Sequence, residues 1–218
     1  MADGQARRRR GRPGYDRESL LAVAVTVFNE RGYDGTSMED LSQRLGIAKS
    51  SIYHHVGSKE DLLGLALDRA LDGLFSVADA ARARGGPAIG RLEFLVRGSV
   101  AVLADRLPYV TLLLRARGNT VTERRALTRR REFDQLVADL VKEAERDGDI
   151  RPDIDPAVTA RLLFGMVNSV AEWYRPGSPD PGSQSRSPGN TGSRGSAGEL
   201  ATAVCAIAFD GLRIRRPG

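Results

Sequence analysis

The stretch that decides the fold is TSMEDLSQRLGIAKSSIYHHV, Thr36–Val56. Met38, Leu41 and Leu45 recur three and four residues apart, which is one face of a short helix. Thr36 and Glu39 have capping-box spacing at its start, and Gly46 supplies its stop. Beyond the glycine, Ile52 and Val56 are the apolar pair of a second short segment. Two short helices about a tight glycine turn make a helix-turn-helix. Small Ser42 lets the second helix approach the first. Ile47 and Ile52 plug the angle between them from inside. Lys49, Ser50, Ser51, Tyr53 and His54 are left facing out, a surface rich in donors, free of acids and built from mostly short side chains. A second helix of this kind sets its N-terminal residues against base edges in the major groove, with its dipole toward phosphate.

The two adjacent histidines, His54 and His55, are the only ones in the chain. Neighbours on a helix point about 100° apart, so one helix cannot offer both to one metal ion; spacing of four would. No cysteine lies near them. A base on a solvent-facing helix also lacks a nucleophile and an orienting partner. The pair therefore predicts no metal site and no catalytic site. His54 joins the groove-facing set, and His55 is expected to lean partly toward the first helix. One position looks weak: Ala48 stands where a capping residue for the second helix would be expected.

Outward from this motif the chain reads as all-α. Leu21, Ala24, Val25 and Phe28 form a helical stripe, capped by Asp16 and stopped near Gly32. Ser58 can cap a long helix bearing Leu62, Leu63, Ala66, Leu67, Ala70 and Leu71, fading at Gly85-Gly86-Pro87. Further segments run from about Arg91 to Leu107, through YVTLLLRAR, from about Val121 to Asp147, from about Asp155 to Tyr174, and through ELATAVCAIAFDGLRI. The expected organisation is a basic arm over 1–15, a DNA-binding domain over 16–62, and a larger helical domain over 63–218. Within the last, 176–198 is dominated by Pro, Gly and Ser and reads as a linker.

The net charge is +5. Arg7, Arg8, Arg9, Arg10 and Arg12 form a block without acids, the composition of an arm that adds phosphate contacts. No apolar run is long enough to cross a bilayer. The N-terminus has no apolar core behind its arginines, so a secretory signal is not expected. The single cysteine, Cys205, excludes an internal disulfide and, in the run AVCAIAF, reads as a buried small hydrophobe. A cytoplasmic location follows as the expectation.

Residues from about Asp16 to Leu63 resemble the DNA-binding domain of the TetR family of transcriptional regulators. The resemblance rests on FNERGYDGTSMEDLSQRLGIAKSSIYHHVGSKEDLL, with its F-x-x-x-G-Y-x-x-T-S run, turn glycine, Y-x-H and S-K-E. It implies a three-helix DNA-binding domain followed by a helical ligand-binding and dimerisation domain. It implies phosphate contacts from Thr36 and Lys59, with Ser37 beside Thr36 at the start of the scaffold helix. Lys49, Ser50, Ser51, Tyr53 and His54 would face the groove. No cofactor, enzymatic activity or membrane contact is implied. Val56 replaces a phenylalanine common in the family.

A recognition helix this short reads few base pairs, so a homodimer on a palindromic operator of double-stranded DNA is expected. Leu162, Leu163, Met166, Val167 and Val170 with Val204, Ile207, Ala208 and Leu212 supply its face. A small-molecule effector is expected among Tyr109, Leu113, Phe133, Phe164, Asn168 and Trp173. Arg115, Arg117, Arg124, Arg125, Arg129, Arg130 and Arg131 form a second basic cluster, suited to the phosphates of an acyl-CoA thioester. The segment from RRREFDQL to SVAEWYRP resembles TetR regulators of fatty-acid, phenylacetate or steroid catabolism, several of which respond to acyl-CoA thioesters. Three other functions fit the residues: a regulator responding to free hydrophobic compounds, a ligand-independent DNA-binding activator, and a scaffold.

Overall fold

The computed structural model describes residues 16–175 and 196–212. The arginine-rich arm and residues 176–195 of the expected linker lie outside the described residues. The described chain is helical and divides into two units, Met1–Leu62 and Leu63–Gly218.

The first unit holds α1 (Arg17–Arg31), α2 (Met38–Leu45) and α3 (Lys49–Tyr53), and α4 (Lys59–Ala83) starts within it. Asp16 caps α1 by accepting from the Ser19 N–H at 2.7 Å. Gly32, at φ 81°, ends the helix in a conformation that a side chain would strain. Leu20, Ala24, Val25 and Phe28 of α1 meet Leu41, Leu45 and Ile52 in a small core, all of them buried. Exposed ion pairs Arg31–Asp40 and Arg44–Glu30, both 3.0 Å, tie α1 to α2 at little energetic gain.

The start of α2 corrects the sequence reading by one residue. Ser37, not Thr36, is the cap: its hydroxyl accepts from Asp40 N–H, and the Asp40 carboxylate accepts from Ser37 N–H. Both frames have the required spacing of three. Thr36 is taken by another bond, its hydroxyl donating to the Gly32 carbonyl at 2.8 Å, and only 2% of it is exposed.

The second unit comprises most of α4 together with α5 (Ala88–Asp105), α6 (Leu107–Arg115), α7 (Val121–Arg146), α8 (Pro156–Trp173) and α9 (Ala197–Leu212). Here α5 packs on α7, α8 and α9, α7 on α8, and α6 on α8. Val96, Val100, Val137, Val141, Leu163, Val167 and Phe209 belong to this core. The sequence places one helical segment from about Arg91 to Leu107. Instead α5 ends at Asp105, and Pro108 lies in the first turn of α6, where its missing N–H costs nothing. A capping box of Thr120 and Glu123 opens α7. A further box opens α9, with Ser196 N–H donating to Glu199 at 2.7 Å and Glu199 N–H to Ser196 at 3.3 Å. That start, inside the expected linker, makes residues 197–198 helical. Among the described residues no helix is long and apolar enough to cross a membrane.

Candidate nucleic-acid interface

The angle between α2 and α3 is fixed by three local features. Gly46 turns the chain in the left-handed region at φ 65°, ψ 32°, and its N–H closes on the Ser42 and Gln43 carbonyls. Ser42 does more than make room, because its hydroxyl donates to the Ile47 carbonyl at 2.7 Å across the turn. Ile52 is fully buried beneath α3.

With Ile52 as the inward anchor, Lys49, Ser50, Tyr53 and His54 are exposed and Ser51 is half-buried. No acid lies in this helix. Ala48 makes no side-chain cap, and the Ser51 N–H turns back to the Ala48 carbonyl at 2.9 Å. The first-turn N–H groups of Lys49 and Ser50 therefore lack a side-chain acceptor from the cap. His54 closes the C-terminal end of α3. His55 is also exposed. The Asp16 carboxyl is held below the usual range chiefly by its hydrogen bonds with Ser19, and the charge of His55 is the smallest contributor. No group of residues suited to a metal ion occurs among the described residues.

The other expected DNA contacts sit differently. Thr36 is buried, so its side chain supports the loop before α2. Ser37 is exposed, and its hydroxyl is engaged with Asp40. Lys59 forms a clamp at the start of α4. Its ammonium donates to the carbonyls of Tyr33 at 2.9 Å and Thr36 at 2.8 Å, and lies 4.2 Å from the centroid of the Tyr33 ring. Sequence reasoning missed this role. Its partners are backbone carbonyls 23 and 26 residues away, which no side-chain pattern encodes.

Among the residues expected to meet an effector, Phe133 and Phe164 come together edge to face, 5.1 Å between centroids, and Phe75 joins Phe133 at 5.9 Å. Leu113 is buried and Asn168 half-buried. Tyr109 is half-buried under the Arg69 guanidinium, 5.1 Å from its ring. Trp173 is 60% exposed on α8 and does not wall the interior. The arginine cluster on α7 is partly spent inside the unit. Arg129 donates to Asp68 at 2.6 Å and Asp72 at 2.7 Å, and Arg124 donates to the carbonyls of Gly118 and Asn119. Arg117, Arg125 and Arg131 remain exposed.

A three-helix unit with a glycine-turned helix pair and an acid-free, donor-rich outer face defines a helix-turn-helix DNA-binding protein. The comparisons make the class specific. Residues 20–66 match the model of the bacterial regulatory proteins of the tetR family, and residues 85–182 match the tetracyclin repressor-like C-terminal domain. The HTH-type transcriptional repressor KstR2 of Rhodococcus jostii (strain RHA1) is 32% identical over 171 residues, spanning 74% of this chain and 80% of that protein. The crystal structure of SCO3833, a TetR-family regulator from Streptomyces coelicolor A3, is 55% identical, with a TM-score of 0.76 over 89% of this chain and 91% of that one. AibR, solved in complex with isovaleryl coenzyme A and operator DNA, shares the fold at 21% identity and a TM-score of 0.70, over 88% and 97% of the two chains. The chain belongs to the TetR family of DNA-binding transcriptional regulators.

Proposed function

We propose that this chain is a homodimeric repressor that reads a palindromic operator through α3 and releases it when a small molecule binds the C-terminal unit. The observation that carries the dimer is the outer face of α8. Val158, Leu162 and Trp173 lie within about 60° of one another around the helix axis. They are 44%, 63% and 60% exposed, while the opposite face of α8 is buried in the core. Ile207 of α9 is 69% exposed as well. Large apolar residues aligned on one face mark an interaction surface. A second copy fits the operator argument, because two linked recognition helices supply the specificity that one lacks. The repressive sense is supported by the likeness to KstR2.

In this reading Lys49, Ser50, Ser51, Tyr53 and His54 meet the groove, and Ser37, Thr36 and Lys59 hold the frame that presents them. The effector lies among Tyr109, Leu113, Phe133, Phe164 and Asn168. For an acyl-CoA thioester, the exposed Arg117, Arg125 and Arg131 are the cations offered to its phosphates. The test combines light scattering with operator mobility shifts for the native chain and for Leu162→Glu/Trp173→Glu. The native chain is expected to run as a dimer and to release operator when effector is added. The double variant is expected to run as a monomer and lose specific binding. A native monomer that still binds a single site would refute the reading. A thermal-shift screen then settles the effector class: stabilisation by free hydrophobic compounds and by no acyl-CoA would remove the thioester.

A further inference from the structure

Between α4, α5 and α7 the second unit holds an open recess of about 260 Å³. Its walls are alanine and leucine side chains from the three helices, Ala78 and Ala81 of α4 among them. Four charged residues complete it: Arg82, Arg91, Asp139 and Glu143. None of the residues assigned above to the effector lines it. Three of the four charges are in ordinary surroundings. Arg82 is exposed and pairs with Asp79 at 3.3 Å, Asp139 accepts from Gln135 at 2.9 Å, and Glu143 is 46% exposed and bonded to Arg91.

Arg91 is different. Its side chain is only 16% exposed. One terminal nitrogen, Nη2, donates to Glu143, while Nε is buried with no acceptor. A desolvated donor on a charged group is expensive when left unmade. The arrangement that satisfies Nε and Nη2 together is a carboxylate set side-on to the guanidinium, with one oxygen on each nitrogen. Glu143 does not provide it, since it reaches Nη2 alone. Glu143 is also the solvent-side member of the pair, so it can yield its place by turning outward.

We propose that this recess binds a small organic monocarboxylate. The carboxylate takes Nε and Nη2 of Arg91 in place of Glu143, and an apolar body covers the alanine and leucine walls. The volume lies just below the range of about 300–1,000 Å³ usual for drug-sized ligands, which selects a short aliphatic or single-ring acid. This goes beyond the repressor reading, and either can fail while the other stands.

Isothermal titration of the full chain with hexanoate, benzoate and cyclohexanecarboxylate, each against its primary amide, tests the proposal. At least one acid is expected to bind, with its amide weaker by about tenfold or more, the value of a charge-assisted pair. Glu143→Gln removes the internal competitor and is expected to tighten the acid by about tenfold while leaving the amide unchanged. Arg91→Gln is expected to abolish acid binding. No binding by any acid, equal binding of acid and amide, or a Glu143→Gln variant that binds the acid no better than native would each overturn the proposal. Should Arg91→Gln fail to fold, the acid–amide comparison and Glu143→Gln still decide. An ion pair with a purely structural role gives no tightening on loss of Glu143.

Discussion

Replacing Lys59 by methionine separates two jobs for one ammonium group. A lysine at the start of α4 would, on the family resemblance, meet a DNA phosphate. In the structure that ammonium is bound within its own unit, to the Tyr33 and Thr36 carbonyls at 2.9 and 2.8 Å, over the Tyr33 ring. Methionine keeps the stem and removes the charge and the donors. Each hydrogen bond from a charged donor contributes about 1.5 kcal/mol at the low end of its range, suited to a half-buried group. The ring contact adds about 0.5 kcal/mol. Partial solvation of the freed carbonyls returns some of this, so a loss of about 2–3 kcal/mol is expected. For a chain of this length that lowers the melting temperature by roughly 5–10 °C. Thermal denaturation followed by circular dichroism reads this directly. Anisotropy titrations with operator at several salt concentrations read the other job. A clamp leaves the salt slope unchanged well below the melting point, whereas a lost phosphate contact reduces it by about 0.9 per protomer. Unchanged melting together with that reduced slope would refute the clamp.

Three further predictions concern other positions. Ala48→Ser supplies the acceptor missing at the start of α3 and should stabilise the first unit by about 0.5–1 kcal/mol, seen as a higher urea midpoint with unchanged m; no change would mean that the first-turn N–H groups are already satisfied. The Asp40 carboxyl is held below the usual range, first by the Ser37 side chain and then by its N–H. Its stabilising contribution is therefore complete above the unfolded pKa of about 3.9 and is lost as pH falls through the lower folded value. Asp40→Asn should flatten the melting temperature against pH profile below about pH 4, and an unaltered acid limb would exclude Asp40 as its source. In the second unit, a Cβ on Gly98 would run into Val77 Cγ1 where α4 and α5 meet. Gly98→Ala should cost about 1–3 kcal/mol by overpacking, measured by denaturant unfolding, and a neutral result would show that Val77 can turn aside.

These residues also show what the sequence could and could not disclose. The helix pair was legible because its signals are local: three apolar residues on one face, a glycine that must adopt positive φ, and Ile52 as the anchor of α3. The outward face of α3 followed from that anchor. Caps were legible to within one residue, because Thr36–Glu39 and Ser37–Asp40 both satisfy the spacing. The Gly32 carbonyl decides between them by taking the Thr36 hydroxyl, and that depends on how the folded loop turns between α1 and α2. The same limit hid the function of Lys59. A charge at a helix start looks equally suited to phosphate or to carbonyl oxygens, and only the fold brings Tyr33 and Thr36 to it. In the second unit, composition marks apolar residues without saying which side they take. Phe164 and Trp173 both read as pocket residues. They are nine positions apart on α8, which is 180° around the axis, so one face can be buried only if the other is turned out. The structure buries Phe164 against Phe133 and turns Trp173 outward. Helical phase alone therefore forbids both from lining one interior, and it makes the exposure of Trp173 a consequence of burying Phe164.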